Sequence, residues 1–251
     1  MTNYLSRRVY EHREGLVEGG ADLIIIETAQ DILEVKAAIF GAREAFAASG
    51  RTLPIQTSVS LLPNGGKMLL GTDIRAVLTT LLALDVDVIG LNCSTGPEDM
   101  RDAIRFLGET SPLPVHCIPN AGLPLQGPDG ETIFPEEPEP LAATLGEFVE
   151  RYGVGIVGGC CGTTPEHIAA IRERCGSHAP GERPAPGPIE VSSMMTSTPL
   201  VQEPRPTLVG ERVNSQGSKK AKELLLADDY DGLVQVAEDQ VEGGAHVLDV
   251  C

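Results

Sequence analysis

The 251 residues carry a formal net charge of -17, set by 36 acidic against 19 basic side chains. Such a surface repels phosphate backbones and anionic lipid headgroups alike, which argues against nucleic acid and membrane as partners. An apolar content of 41% with 28 glycines suits a soluble α/β protein able to build a core. No apolar run approaches the ~20 residues that span a bilayer. The charged stretch 1–15 lacks the apolar centre of a secretion signal, so a cytoplasmic protein is expected.

In chain order, Val17 to Thr28 reads as the end of a helix, a Gly19-Gly20 stop and a continuous apolar strand finishing on Glu27. A strand apolar on both faces predicts a covered parallel sheet. With Asp31 as N-cap, Ile32, Val35, Ile39, Ala42 and Phe46 recur every three or four positions and predict a helix packed by one face. The unit repeats: a strand over 54–60, a loop at 63–66, then a helix capped by Asp73 with Ile74, Val77, Leu78, Leu81 and Leu82 on its inner face. A third strand over 87–93 ends at Cys93, and Pro97 opens a helix carrying Met100, Ile104 and Leu107.

The fourth strand spans 114–119, and a Pro- and Gly-rich loop runs from Leu123 to Pro138 before a helix over 141–152; long loops of this kind are often functional. A fifth strand over 155–157 delivers Gly158-Gly159-Cys160-Cys161-Gly162, and Thr164-Pro165-Glu166 starts a closing helix. Seven prolines between Pro180 and Pro206, without periodicity, predict a linker. Beyond it come helices over 221–226 and 230–242, and residues 241–250 echo 17–26, so a second α/β barrel is expected to begin here.

The six cysteines, at 93, 117, 160, 161, 175 and 251, show no disulfide framework, and in a reducing compartment ligand or core roles are expected. Glycine-framed adjacent cysteines between a strand and a helix start are hard to explain as packing. With Cys93 in the same setting, they match three protein ligands of a catalytic zinc with one open position. Against this stand burial as ordinary small core residues and a phosphate-binding loop at a helix N-terminus, which has no use for thiolates. Glu27 and Asp249 are either strand-end carboxylates that bind an amine or polar ring, or solvated termini. His116 reads as a core histidine, His12, His167 and His178 as surface residues, and Cys117 and Cys175 as structural.

These motifs carry a resemblance. Gly90-Leu91-Asn92-Cys93, Pro119-Asn120-Ala121-Gly122-Leu123-Pro124 and Gly158-Gly159-Cys160-Cys161-Gly162-Thr163-Thr164-Pro165-Glu166-His167-Ile168 resemble the homocysteine-binding barrel of the homocysteine S-methyltransferase family, over about 9–175. Gly210-Glu211-Arg212-Val213-Asn214 with Gly217-Ser218-Lys219-Lys220 is similar to the opening of the folate-binding barrel in cobalamin-dependent methionine synthases.

The resemblance implies zinc on Cys93, Cys160 and Cys161, with homocysteine sulfur taking the fourth position as a thiolate. Its methyl donor would be methylcobalamin, recharged by methyltetrahydrofolate. It also implies Glu27 at the homocysteine amino group, Asn92 and Asn120 at the substrate site with Asn120 near the metal, and Glu211, Asn214 and Asp249 at the pterin. Cys251 departs from the Asn that many relatives have there.

The fold expected is α/β: about five of the eight strand-helix units of a (β/α)8 barrel over 1–178, a Pro-rich linker over 179–206, and the start of a second barrel over 207–251. By this reading the first three strand-helix units and a cobalamin-binding segment would be missing, and the chain is expected to be a fragment. Its partners would be homocysteine and the absent domains of the same polypeptide, and alone it is expected not to turn over. The alternatives are a cobalamin-independent enzyme using betaine or S-methylmethionine, and a structural zinc module with Cys117 as fourth thiolate.

Overall fold

The computed structural model describes residues 15–63 and 65–251. It divides into two compact units, the first running to Gly187 and including Ser192–Ser197, the second comprising Pro188–Val191 and Thr198–Cys251.

In the first unit, strands and helices alternate as the periodicity predicts: β1 (Ile24–Ala29), α1 (Ile32–Ser49), β2 (Ile55–Val59), α2 (Ile74–Leu82), β3 (Val88–Asn92), α3 (Pro97–Thr110) and β4 (Val115–Ile118). After the short strands β5 (Leu125–Gln126) and β6 (Thr132–Ile133) come α4 (Pro138–Tyr152), β7 (Ile156–Val157) and α5 (Pro165–Cys175). The helix starts follow from local chemistry. Asp31 accepts from the amide of Leu33 and Asp73 from that of Ala76, while Pro97, Pro138 and Pro165 open α3, α4 and α5, where a missing N–H costs nothing.

Five strands form one parallel sheet in the order β1-β2-β3-β4-β7. The register pairs Gln56 with Val88, Ser58 with Gly90, and Gly90 with His116, so these residues share a face. On the opposite face Ile24, Val59, Ile89, Leu91 and Val115 join a buried cluster with Val35, Ile39, Val77, Leu81, Ile104, Leu107, Leu145 and Phe148 of the helices. Burying each large side chain contributes roughly 1.5–3 kcal/mol, which is what holds the helices to the sheet.

The expectation that the first strand is covered on both faces is corrected. In β1, Ile24 and Ile26 are buried but Ile25 is 44% exposed, because β1 is an outer strand whose second face has no layer over it among the described residues. The outer strands β1 and β7 are not paired to each other.

Further departures have physical causes. The 123–138 loop contains an antiparallel ribbon, with Leu125 opposite Ile133 and Gln126 opposite Thr132. The following helix begins at Pro138, three residues before the first periodic leucine, since Pro-Glu-Pro favours a first turn. The Pro-rich segment carries two short strands, β8 (Glu190–Ser192) and β9 (Ser197–Pro199). Residues 179–187, expected in the linker, pack with the first unit: the Arg183 guanidinium donates to the carbonyls of Leu107, Gly108, Ser111 and Gly153 at 3.0–3.2 Å, at the C-terminal ends of α3 and α4 where carbonyls run short of intrahelical partners.

The second unit is β10 (Val209–Val213), α6 (Lys219–Leu226), α7 (Tyr230–Glu242) and β11 (Val247–Val250), with β10 and β11 parallel. This is a strand-helix-helix-strand piece; closure into a second barrel is not part of it. No helix among the described residues is long and apolar enough to cross a membrane.

Candidate metal centre

The C-terminal ends of the parallel strands bring three loops together. The loop after β3 carries Cys93, the loop after β7 carries Cys160 and Cys161, and their sulfur atoms lie within 4.8 Å of one another. Cys93 Sγ is 3.9 Å from Cys161 Sγ, and Cys160 Sγ is 4.0 Å from Cys161 Sγ. Tetrahedral zinc with Zn–S bonds of ~2.3 Å separates its thiolates by roughly 3.8 Å, so the trio fits a zinc ion with one position left open. The spacing is far beyond a sulfur–sulfur bond, and all six cysteines are free thiols.

The backbone is bent to make this trio. Cys93 and Ser94 have φ of 60° and 67°, a left-handed conformation that costs non-glycine residues of order 1–3 kcal/mol and clusters at functional sites. The turn is held by Cys93 N–H donating to Ile118 O at 3.1 Å and Thr95 N–H to Cys93 O at 2.8 Å. On the other loop, Cys160 N–H donates to Pro119 O at 2.7 Å, and the Thr163 hydroxyl to Cys160 O at 2.7 Å. Gly162, with φ of 77°, lies against the Phe134 ring, where an added Cβ would fall 2.2 Å from Cγ.

Asn92 and Asn120 orient the cysteines. Asn92 is 1% exposed. Its Oδ1 accepts from Thr28 N–H at 2.9 Å and the Ser58 hydroxyl at 2.6 Å, and its Nδ2 donates to Thr28 Oγ1 at 2.8 Å and faces Cys160 Sγ at 3.9 Å. Asn120, equally buried, accepts at Oδ1 from Cys161 N–H at 3.0 Å, and the next amide, of Ala121, donates to Cys161 O at 2.9 Å. Thr28 and Ser58 escaped the sequence reading; hydroxyls at the ends of two adjacent strands were the available signal.

The Cys161 thiol is pushed up to about 11, first by burial and then by the neighbouring Cys160 and Cys93. A bound dication would invert that balance for Cys161. Position disqualifies Cys117: it is fully buried, and its Sγ packs on Met100 Sδ at 3.8 Å on the helix side of the sheet, the opposite face from Asn92. It is therefore not a fourth ligand, and Cys175 is likewise buried away from the trio.

Glu27 is exposed on β1. His116 is a core residue as expected, fully buried with Nε2 3.0 Å from Thr57 O. Its ring lies over Gly90, where an added Cβ would meet ring atoms at 2.5 Å. The surface reading of His167 is corrected: it is 6% exposed, with Nδ1 accepting from Thr164 N–H at 3.1 Å and Nε2 2.9 Å from Glu136 O. His178 is exposed and paired with Glu150, and His12 lies outside the described residues. In the second unit, Asn214 Nδ2 donates to Asp249 Oδ2 at 2.9 Å, which joins two of the expected pterin residues, while Glu211 is exposed on β10.

A thiolate trio with an open position, set at the C-terminal ends of parallel strands, defines the class as an α/β protein with a candidate catalytic metal centre. A family model described as homocysteine S-methyltransferase matches residues 2–175, and the chain belongs to that family. The chain is 44% identical over 242 residues to the methionine synthase of Mycobacterium leprae and 42% identical over 237 residues to that of Mycobacterium tuberculosis. Each match covers 94% of this chain and 20% of the relative. The chain thus spans about a fifth of the length of these curated relatives. Among solved structures, the apo homocysteine methyltransferase MmuM from Escherichia coli aligns with a TM-score of 0.54 at 26% identity, over 69% of this chain and 57% of that one.

Proposed function

We propose that this chain is the homocysteine-activating part of a longer methionine synthase, acting in the cytoplasm. Cys93, Cys160 and Cys161 would hold zinc, and the five-stranded sheet would be part of a (β/α)8 barrel. Held by these three cysteines, a metal would supply Lewis acidity, which would lower the pKa of a homocysteine thiol from the ~8.5 of a free thiol and favour the nucleophilic thiolate at neutral pH. The chain's own residues do the rest. Asn120 and Ala121 hold the Cys161 peptide from both sides, Asn92 holds Cys160, and Glu27 is the carboxylate available for the substrate ammonium. The methyl group would come from methylcobalamin, recharged by methyltetrahydrofolate, with Glu211, Asn214 and Asp249 contributing to the pterin site.

The geometry of the three sulfur atoms carries this reading. The choice of donor is supported by the match to methionine synthases, which continues past residue 175 into the second unit. A betaine or S-methylmethionine donor would leave that second unit without a purpose. The test is spectroscopic: the chain loaded with cobalt(II) in place of zinc should show thiolate charge-transfer bands that shift when homocysteine is added. Absence of any shift, with the metal bound, would sink the assignment.

A further inference from the structure

His167 is buried, spends both ring nitrogens, and belongs to no role assigned above. Because Nδ1 accepts from Thr164 N–H, the ring proton sits on Nε2, which donates to Glu136 O. Glu136 N–H in turn donates to Ala121 O at 3.1 Å, and Ala121 N–H to Cys161 O at 2.9 Å. From Thr164 the chain runs back through Thr163, whose hydroxyl holds Cys160 O. The bonds therefore form a closed circuit: cysteine pair, Asn120-Ala121, Glu136, His167, Thr164, cysteine pair. The segment 122–135, including the β5-β6 ribbon and Phe134 on Gly162, is the arc of chain that the circuit closes off.

We propose that His167 is a positioning residue for the thiolate pair and couples metal occupancy to the order of the 122–135 loop. The inference rests on the zinc reading above. A ligand set that tightens around a metal fixes the Cys161 peptide, hence Ala121, and through Glu136 and His167 the base of the loop. Hydrogen-bonding partners one step removed from the ligands typically change metal affinity by about 10–100-fold; His167 acts on two such partners, Ala121 through Glu136 and Thr163 through Thr164, so the lower end of that range is expected.

Two substitutions separate this role from simple helix capping. The side-chain oxygen of Asn falls where Nδ1 was, and the amide nitrogen of Gln where Nε2 was. His167→Asn thus keeps the bond to Thr164 and loses Glu136, whereas His167→Gln restores the donor to Glu136. The full chain and both variants are titrated with zinc against a chromophoric chelator, and cleavage within 123–135 by a protease is timed with and without zinc. The parent should bind one zinc, which slows cleavage. His167→Asn should bind zinc about tenfold more weakly and cleave at a zinc-independent rate, and His167→Gln should stay close to the parent in both.

The reverse order, Asn intact and Gln weakened, would assign His167 to capping alone and overturn the proposal. Unchanged affinity and unchanged zinc-dependent cleavage in both variants would overturn it too, as would equal unfolding of both by circular dichroism. A parent that takes up no zinc would instead refute the metal reading of the cysteines, and this proposal with it.

Discussion

Residues 17–26 and 241–250 share a Val-Glu-Gly-Gly-Ala start that leads from a helix end into a parallel strand, yet the strands end in different surroundings. In β1, Ile24 is 1% and Ile26 5% exposed; in β11, Val247 is 36% and Val250 71% exposed. The first strand sits in a five-stranded sheet under helices, the second beside a single partner strand. The comparison teaches that period and punctuation choose the element, whereas burial depends on how many neighbours arrive to cover it. The second unit buries Val213, Ala221 and Val236 and leaves Leu226, Tyr230 and Val234 exposed.

The sharpest test of the contrast is chemical, because only the first unit gathers three thiols. Cys160→Ser and Cys93→Ser should each abolish stoichiometric zinc, measured by metal analysis of purified protein, while Cys251→Ser should leave it at one equivalent. Zinc retained in Cys160→Ser would remove the functional difference between the units.

Packing is the next lever. Phe148 is fully buried in the first unit, so Phe148→Ala should cost about 3–5 kcal/mol in denaturant unfolding. Val234 in the second unit is 56% exposed, and Val234→Ala should stay within about 0.5 kcal/mol. Similar costs at both sites would show that the second unit has a core after all.

A smaller effect should follow pH. Burial pushes the His116 imidazole down to about 4, from the ordinary histidine value of about 6.5. The unfolded chain then binds the extra proton first, so this contribution is complete above pH 6.5 and is lost as pH falls from 6.5 to 4. The loss is roughly 3 kcal/mol at most. His116→Gln, which keeps a donor for Thr57 O, should flatten the stability profile between pH 6.5 and 4. An unchanged slope would place the acid sensitivity elsewhere.

Amide exchange gives the finest grading. β3, with a strand on each side and helices over it, should exchange more slowly than β10, which has one partner. Equal protection would erase the distinction between the two strand environments.

Much of the local plan was legible in the chain. Asp31, Asp73, Pro97 and Pro165 mark helix starts because capping and fixed φ act over a few residues, and all five apolar positions read for α1 are buried, along with the small residues Ala37, Ala38, Gly41 and Ala45 beside them. The glycine-framed cysteines were legible because their composition has few other uses. The tethering of 179–187 was not, since Arg183 meets its carbonyl partners at separations of 30–76 positions. His167 was misread for a related reason. A histidine in the first turn of a helix looks exposed until another loop, here through Glu136, folds over it.

What the sequence by itself determined is the inventory: alternating strands and helices, three cysteines at strand ends, and a family signature. What only the tertiary structure decided is convergence. The parallel register of β3, β4 and β7 carries Cys93 to within 3.9 Å of Cys161 across 68 positions of chain. The pairing of β1 and β2 onto β3 places Asn92 beside Thr28 and Ser58 as well as Cys160. Those contacts depend on strand pairing and buried hydrogen bonds, which act at distances in space that no local pattern encodes.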